Sequence, residues 1–197
     1  MMKRAVLLTM LAVLFALGGC GSQARVWRLT DVRGHLPDLA FTLTDDTGKV
    51  VDAADFRGKL VLLYFGYTHC PDVCPLTLTH LHVLMQRLGP LADRTRVLFV
   101  SVDPARDTPA ILHAYVSAFD PHITGLTGTP AQIEALAKRY RVAYNRGPTL
   151  PGGGYEVAHS AGIYLFDRRG RARLLATDAD PIGAIEHDVR GLLGTAP

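Results

Sequence analysis

The stretch KLVLLYFGYTHCPDVCPLTLTHLHVLMQRL, residues 59–88, decides the fold prediction because it joins a strand to a helix through two cysteines. Its first part, KLVLLYFGY, is a continuous apolar run, typical of a strand buried on both faces of a sheet. Residues 76–88 place leucines and a methionine at helical spacing, and Pro75 suits the first position of a helix. The sequence therefore predicts a buried strand, a short turn that carries Cys70 and Cys74, and a helix.

Strands and helices alternate along the rest of the chain. Residues 39–51, LAFTLTDDTGKVV, alternate apolar and polar side chains around an Asp-Asp-Thr-Gly turn, which predicts a hairpin. RVLFVSVD, residues 96–103, predicts a second buried strand, and residues 162–177 predict a late hairpin around the turn RRG. Thr129 as cap and Pro130 as first residue open one of three further helices. The apolar faces of these helices are Leu112, Tyr115, Val116 and Phe119; Ile133, Leu136, Ala137 and Tyr140; and Ile182, Ile185 and Val189.

This order of elements predicts an α/β domain of three layers. The cysteine pair at a junction between a strand and a helix narrows the prediction, by analogy, to a thioredoxin-like fold with a central mixed sheet and an N-terminal β-hairpin. We place this domain at residues 37–197.

The N-terminal segment predicts an exported protein. Lys3 and Arg4 precede fifteen uncharged residues, fewer than the roughly 20 needed to span a bilayer, so residues 1–19 are read as a signal peptide. The ending LGGC resembles a bacterial lipobox, which predicts lipidation of Cys20 and a lipidated tether over residues 20–36. An ordinary signal peptide with an incidental cysteine and an uncleaved anchor are the alternatives, and each of them exports the domain.

The charge balance argues against nucleic acid as a partner. The formal net charge of +3 includes Lys3 and Arg4, so the chain after the predicted signal peptide carries 3 − 2 = +1. The sequence also contains no basic run and no basic patch interleaved with aromatic residues.

The cysteine pair predicts a reactive or metal-binding site rather than a structural disulfide. With Cys20 assigned to lipidation, Cys70 and Cys74 are the remaining thiols of the chain. A disulfide across so few residues would constrain little of the unfolded chain, although export would allow it to form. The start of the following helix is expected to favour thiolate over thiol. The pair has three intervening residues instead of the two usual in thiol exchange, and a structural zinc site would need more ligands.

The segment YEVAHSA, residues 155–161, predicts a third metal ligand beside the two cysteine sulfurs. In a thioredoxin layout this segment packs against the cysteine loop, and here it carries His159 where a proline is usual. Two sulfurs and one imidazole suit copper of either oxidation state. The alternative is a histidine that makes one structural hydrogen bond.

Three stretches together resemble the Sco/SenC family, which comprises copper-binding thioredoxin-like proteins that assist assembly of the copper A centre of cytochrome c oxidase. They are FGYTHCPDVCP (65–75), VSVDPARDTP (100–109) and YEVAHSAGIYLFDRRG (155–170), and the similarity extends from about Pro37 to the last helix. The resemblance implies that Cys70, Cys74 and His159 bind one copper ion, Cu⁺ or Cu²⁺. It also implies a location on the outer face of the cytoplasmic membrane, with oxidase subunit II and another periplasmic copper chaperone as candidate partners.

The resemblance leaves the roles of several other residues open. Asp103 and Asp107 match a paired-aspartate motif of the family, for which roles near the metal or in partner docking compete with roles at the ends of a strand and a helix. Asp103 is kept as a candidate secondary metal residue, whereas Asp107 is assigned to the helix start. Tyr64 and Tyr155 are candidates for lining the site, with packing as the alternative. His69, next to Cys70, is a candidate for tuning or transient copper binding.

Two functions follow from these residues. The first is a metallochaperone, which is not an enzyme, and the second is a thiol–disulfide oxidoreductase that uses Cys70 and Cys74 without His159. Peroxiredoxin spacing fits neither cysteine. Gly21 follows the predicted lipidated cysteine and leaves open whether the protein is sorted to the inner or the outer membrane.

Overall fold

The computed structural model describes residues 26–194. The predicted signal peptide, the predicted lipidation site Cys20 and Gly21 lie outside the described residues. The ten strands of the described part are β1 Thr30–Asp31, β2 Thr42–Asp45, β3 Val50–Asp52, β4 Leu60–Gly66, β5 Thr95–Ser101, β6 Ile123–Thr127, β7 Tyr144–Arg146, β8 Val157–His159, β9 Ile163–Phe166 and β10 Ala172–Ala176. Its helices are α1 Val73–Leu88, α2 Pro109–Ser117, α3 Pro130–Arg139 and α4 Ile182–Leu192, with 3₁₀ turns at Ala53–Phe56 and Gly89–Arg94.

Eight of the strands form one mixed sheet in the order β1-β10-β9-β4-β5-β6-β2-β3. The central strands β4, β5 and β6 run parallel, and antiparallel strands flank them on both sides. Every residue of β4 is buried, as its continuous apolar run predicts. The hairpin β2–β3 and the late hairpin β9–β10 confirm two further predictions.

Helices cover both faces of the central strand β4. Successive side chains of a strand point to opposite faces of the sheet. The Tyr64 hydroxyl contacts Cys74 of α1, whereas the Phe65 ring packs against Tyr140 at the end of α3. The helices α1 and α3 therefore lie on opposite faces, and α4 packs beside α1. This arrangement confirms the predicted three-layer α/β domain.

Helix α1 begins earlier than the sequence analysis predicts. It begins at Val73, so Pro75 is its third residue and Cys74 its second. Proline is tolerated there because the first backbone N–H groups of a helix have no partner within the helix. Cys74 consequently lies inside the first turn and is fully buried.

The predicted tether over residues 20–36 is wrong at its C-terminal end. Strand β1 pairs with β10, and Leu29 and Val32 on either side of it are buried. The buried carboxylate of Asp188 in α4 accepts the backbone N–H groups of Arg28 and Leu29, each at 2.9 Å. The packed domain therefore begins before Pro37.

The second sheet is a two-stranded ribbon that the sequence analysis did not predict. Its strands, β7 and β8, pair antiparallel, with Tyr144 opposite His159. His159 is therefore the last residue of a short strand that the sequence did not predict. Strand β6 was also missed. Among residues 26–194, no helix combines the length and the apolar composition that crossing a membrane requires.

Candidate metal centre

The cysteine loop, residues 67–72, connects the buried end of β4 to the start of α1. At this junction the backbone of Gly66 passes so close to its neighbours that an added Cβ would lie 2.9 Å from the Cys74 sulfur. Cys74 is fully buried and Cys70 is half-buried, and both are free thiols in the described structure. The backbone N–H of Cys74 donates to the Cys70 sulfur over 3.4 Å. The start of α1 thus holds the two sulfurs side by side.

His159 reaches the same point from the ribbon. Its Nε2 lies 3.2 Å from the Cys74 sulfur, and its Nδ1 lies 3.1 Å from the carbonyl oxygen of Ser160. Because a carbonyl only accepts, Nδ1 carries the proton and Nε2 presents its lone pair to the sulfurs. One donor atom from each of Cys70, Cys74 and His159 lies within 4.8 Å of the other two. The structure therefore brings together the three residues named from the sequence.

Burial controls the protonation of this group. It raises the pKa of Cys74 to about 12, against the lowering effect of hydrogen bonds from the Tyr67 backbone and the Tyr64 side chain. Loss of water around the sulfur has the largest effect on the pKa of Cys74, and it acts against the expectation that the helix start makes Cys74 a thiolate. Burial also lowers the pKa of His159, which keeps its ring neutral.

Two tyrosines enclose the imidazole and the inner sulfur. The Tyr64 hydroxyl lies 3.6 Å from the Cys74 sulfur, which confirms the lining role over simple packing. The ring of Tyr67 stands at 90° to the His159 ring, with 5.9 Å between their centroids. Tyr67 was not predicted as a site residue, although its position between Gly66 and the cysteines was a usable signal. These rings shield the inner side of the candidate ligand group, which consists of Cys70, Cys74 and His159. The group stays open beside Cys70.

Asp107 holds the cysteine loop in place. Its fully buried carboxylate accepts the backbone N–H of Thr68 at 3.0 Å, the Thr68 hydroxyl at 2.6 Å and the Ser101 hydroxyl at 2.6 Å. It thereby joins the loop that precedes Cys70 to the end of β5. The assignment of Asp107 to a helix start alone is therefore wrong.

Asp103 and Tyr155 lie beside the ligand group and outside it. The Tyr155 hydroxyl donates to Asp103 Oδ1 at 2.7 Å, and Arg106 pairs with Asp103 Oδ2. Both carboxylate oxygens of Asp103 are thus engaged by protein groups. His69 lies 3.0 Å from the Thr68 hydroxyl and is likewise outside the three-residue group. Neither Asp103 nor His69 is positioned as a metal ligand in the described structure.

Comparison of the sequence with models of protein families gives a match that covers both the fold and the candidate metal centre. A family model described as SCO1/SenC matches residues 34–194, which is most of the chain and includes every residue of the ligand group. The chain belongs to the SCO1/SenC family.

Curated and solved SCO1/SenC relatives resemble the chain over its folded part. Protein SCO2 homolog, mitochondrial, of Bos taurus is 46% identical over 132 residues, which are 66% of this chain and 50% of that protein. The chain spans about half the length of the curated relatives it matches. The structure of Bradyrhizobium japonicum ScoI with copper bound shares 41% identity and a TM-score of 0.73, covering 79% of this chain and 99% of that one. The structure of yeast Sco1 with copper bound shares 32% identity and a TM-score of 0.74, covering 82% and 91%. These matches confirm the predicted thioredoxin-like fold.

Proposed function

We propose that this protein binds one copper ion through Cys70, Cys74 and His159 and carries it to the copper A centre of cytochrome c oxidase during assembly. The observation that carries the proposal is the convergence of the three donor atoms within 4.8 Å. Two soft sulfurs and one imidazole suit copper, and two relatives of the same fold have been solved with copper bound.

The geometry explains how such a site would load and release its ion. Both sulfurs must be reduced, since a Cys70–Cys74 disulfide cannot ligate as thiolates. The high pKa of Cys74 means that its proton leaves when the metal binds, so loading releases a proton. Cys74 and the aromatic rings close the inner side, whereas Cys70 is half-buried. A partner's ligands would therefore approach beside Cys70 and replace the protein's ligands one at a time.

The partners and location proposed for the whole protein follow from family membership and from the N-terminal sequence. Oxidase subunit II is the proposed recipient, with another periplasmic copper chaperone as the proposed donor. Lipidation at Cys20 would anchor the domain on the outer face of the cytoplasmic membrane. Globomycin treatment of expressing cells tests the anchor, because blocked signal cleavage would leave a longer chain. An unchanged chain length would contradict lipoprotein processing.

Copper content and absorption of single variants test the copper proposal. Fully reduced protein is loaded with copper and desalted, and Cys70→Ala, Cys74→Ala and His159→Ala are compared with wild type. We expect one copper per chain and a sulfur-to-Cu²⁺ charge-transfer band that each cysteine variant loses. His159→Ala should shift the band and retain less Cu²⁺.

A remote histidine provides the matched control. His113 lies on α2 and pairs with Asp46 at 2.9 Å, so His113→Ala should leave copper content unchanged. Copper content equal to wild type in His159→Ala would contradict the three-ligand site.

Reduction of a partner's disulfide is the second candidate function. Cys70 is the more exposed thiol, and its sulfur accepts a backbone N–H at the start of a helix, which suits an attacking group. Cys74 is adjacent and able to resolve a mixed disulfide. Under this function, the Cys70→Ser protein would no longer reduce the disulfide of an oxidised peptide that carries the copper A cysteines. The His159→Ala protein would reduce that disulfide as fast as wild type does.

A further inference from the structure

The ribbon that carries His159 needs support from outside itself. Strands β7 and β8 contain three residues each and form a sheet of their own. A two-stranded hairpin is marginally stable in water by itself. The position of His159 over the cysteines therefore depends on what fastens this ribbon to the rest of the domain.

Arg106 contacts the ribbon from the turn after β5, which comprises residues 102–108. The Arg106 guanidinium lies 3.7 Å from the centroid of the Tyr155 ring, and Arg146 lies at the same distance from the same centroid. Two guanidinium groups so close to one ring must occupy opposite faces, so Tyr155 is sandwiched between them. The Tyr155 hydroxyl donates to Asp103, which also pairs with Arg106. The stack, the hydrogen bond and the ion pair together form a closed cluster.

Arg106 also faces the cysteine loop. Its guanidinium lies 5.8 Å from the centroid of Tyr67, the ring that stands against His159. Its Nη2 atom is buried and has no hydrogen-bond partner among the described residues, so aromatic rings and the Asp103 carboxylate hold the group. Arg106 thus lies between the two segments that supply the ligand atoms.

The ribbon has room to move once this contact opens. A cavity of about 450 Å³ borders both segments, because its lining includes Asp103 and Pro104 from the turn after β5 and Tyr144 and Val157 from the ribbon. The loop between β7 and β8 contains Gly152 and Gly153 at positive φ, a conformation that glycine adopts at little cost.

We propose that Arg106 is a positioning residue that holds the β7–β8 ribbon, and with it the His159 imidazole, closed over Cys70 and Cys74. The inference rests on the proposed copper function, because the ring that it positions is the third ligand. When the stack on Tyr155 opens, the imidazole withdraws and the ion keeps two sulfurs. Arg106 therefore sets how readily the nitrogen ligand leaves when a partner's ligand arrives.

The test compares Arg106→Gln with a matched arginine elsewhere, in the full chain. Arg173, on β10, has the same 21% side-chain exposure, pairs with Asp167 and lies 5.9 Å from the centroid of the Trp27 ring. In the reduced metal-free protein, Arg106→Gln should speed hydrogen exchange of the amides of residues 144–159 about tenfold. Arg173→Gln should leave exchange in that segment unchanged, and Arg106→Lys should restore part of the protection because it keeps the charge.

Copper retention then tests whether Arg106 acts through His159. EDTA should strip Cu²⁺ from Arg106→Gln about tenfold faster than from wild type. In a His159→Ala background the same substitution should add nothing. Unchanged exchange in residues 144–159, or equal acceleration in the His159→Ala background, would overturn the proposal. If wild type binds no copper, the proposed function fails, whereas the exchange measurement still decides whether Arg106 holds the ribbon.

Discussion

Replacement of Asp107 should damage the site without removing any of the three proposed ligands. The Asp107 carboxylate is fully buried and accepts three hydrogen bonds, two from Thr68 in the cysteine loop and one from Ser101. In Asp107→Asn the amide keeps the shape, and its oxygen can still accept from Ser101 and the Thr68 backbone. In Asp107→Ala all three donors lose their acceptor.

The size of the effect follows from these contacts. A hydrogen bond to a charged group contributes about 1.5–3 kcal/mol and a neutral one about 0.5–1.5 kcal/mol. Two bonds weakened in this way and a third lost, offset by relief of a buried charge, predict a loss of about 2 kcal/mol for Asp107→Asn. Three orphaned donors predict about 4 kcal/mol for Asp107→Ala. For a chain of this size these losses correspond to a fall in Tm of roughly 4–8 °C and 8–16 °C.

Urea unfolding of the reduced, metal-free protein measures these values, and Asp93→Asn is the control. The Asp93 side chain is 86% exposed, so its substitution should change stability by less than about 0.5 kcal/mol. Thr68→Val should be less than additive with Asp107→Asn, since the two changes remove the same contact. An Asp107→Ala protein as stable as Asp93→Asn would refute the role assigned to this carboxylate.

Three further predictions concern backbone space and acid stability. Gly66→Ala should cost about 2 kcal/mol and lower copper retention, because its Cβ would meet the Cys74 sulfur at 2.9 Å. Gly183→Ala, in α4 with open space around it, should stabilise the protein by up to about 1 kcal/mol in the same urea assay. Burial raises the pKa of Asp120, but hydrogen bonds from His122 and His82 outweigh it and leave the pKa below 3.8. The stability from Asp120 should therefore be complete above about pH 5, begin to fade near 3.8 and be lost as the pH falls through the lower pKa of the folded state, so wild type and Asp120→Asn should converge in acid. A constant gap between their unfolding free energies from pH 6 to pH 3 would contradict this.

The sequence predicted the elements whose signal is local. The apolar run of β4 and the helical spacing of α1 specify a buried strand and its helix, and both are confirmed. The candidate ligand group was found because the cysteine motif and the segment around His159 are distinctive, even though Cys74 and His159 lie 85 positions apart in the chain. The start of α1 was misplaced because Pro71 and Pro75 both look like turn residues, and the second is compatible with the first helical turn.

Elements held by distant partners escaped prediction. Strand β1 has two polar residues, and its identity as a strand comes from β10 more than 140 residues away. The β7–β8 ribbon is interrupted by a ten-residue connection that masks its pairing. Asp107 was misassigned for the same reason, since Thr68 lies 39 residues before it in the chain. Its neighbours in sequence gave no sign that its carboxylate was buried.

X-ray absorption of the copper-loaded protein counts the sulfur and nitrogen atoms bound to the metal, and so measures the proposed three-ligand site itself. Copper bound by Cys70, Cys74 and His159 should have two sulfurs and one imidazole nitrogen as neighbours, with the nitrogen lost in His159→Ala and one sulfur lost in each of Cys70→Ala and Cys74→Ala. A shell of nitrogen and oxygen alone, or a sulfur count unchanged by both cysteine substitutions, would contradict that site.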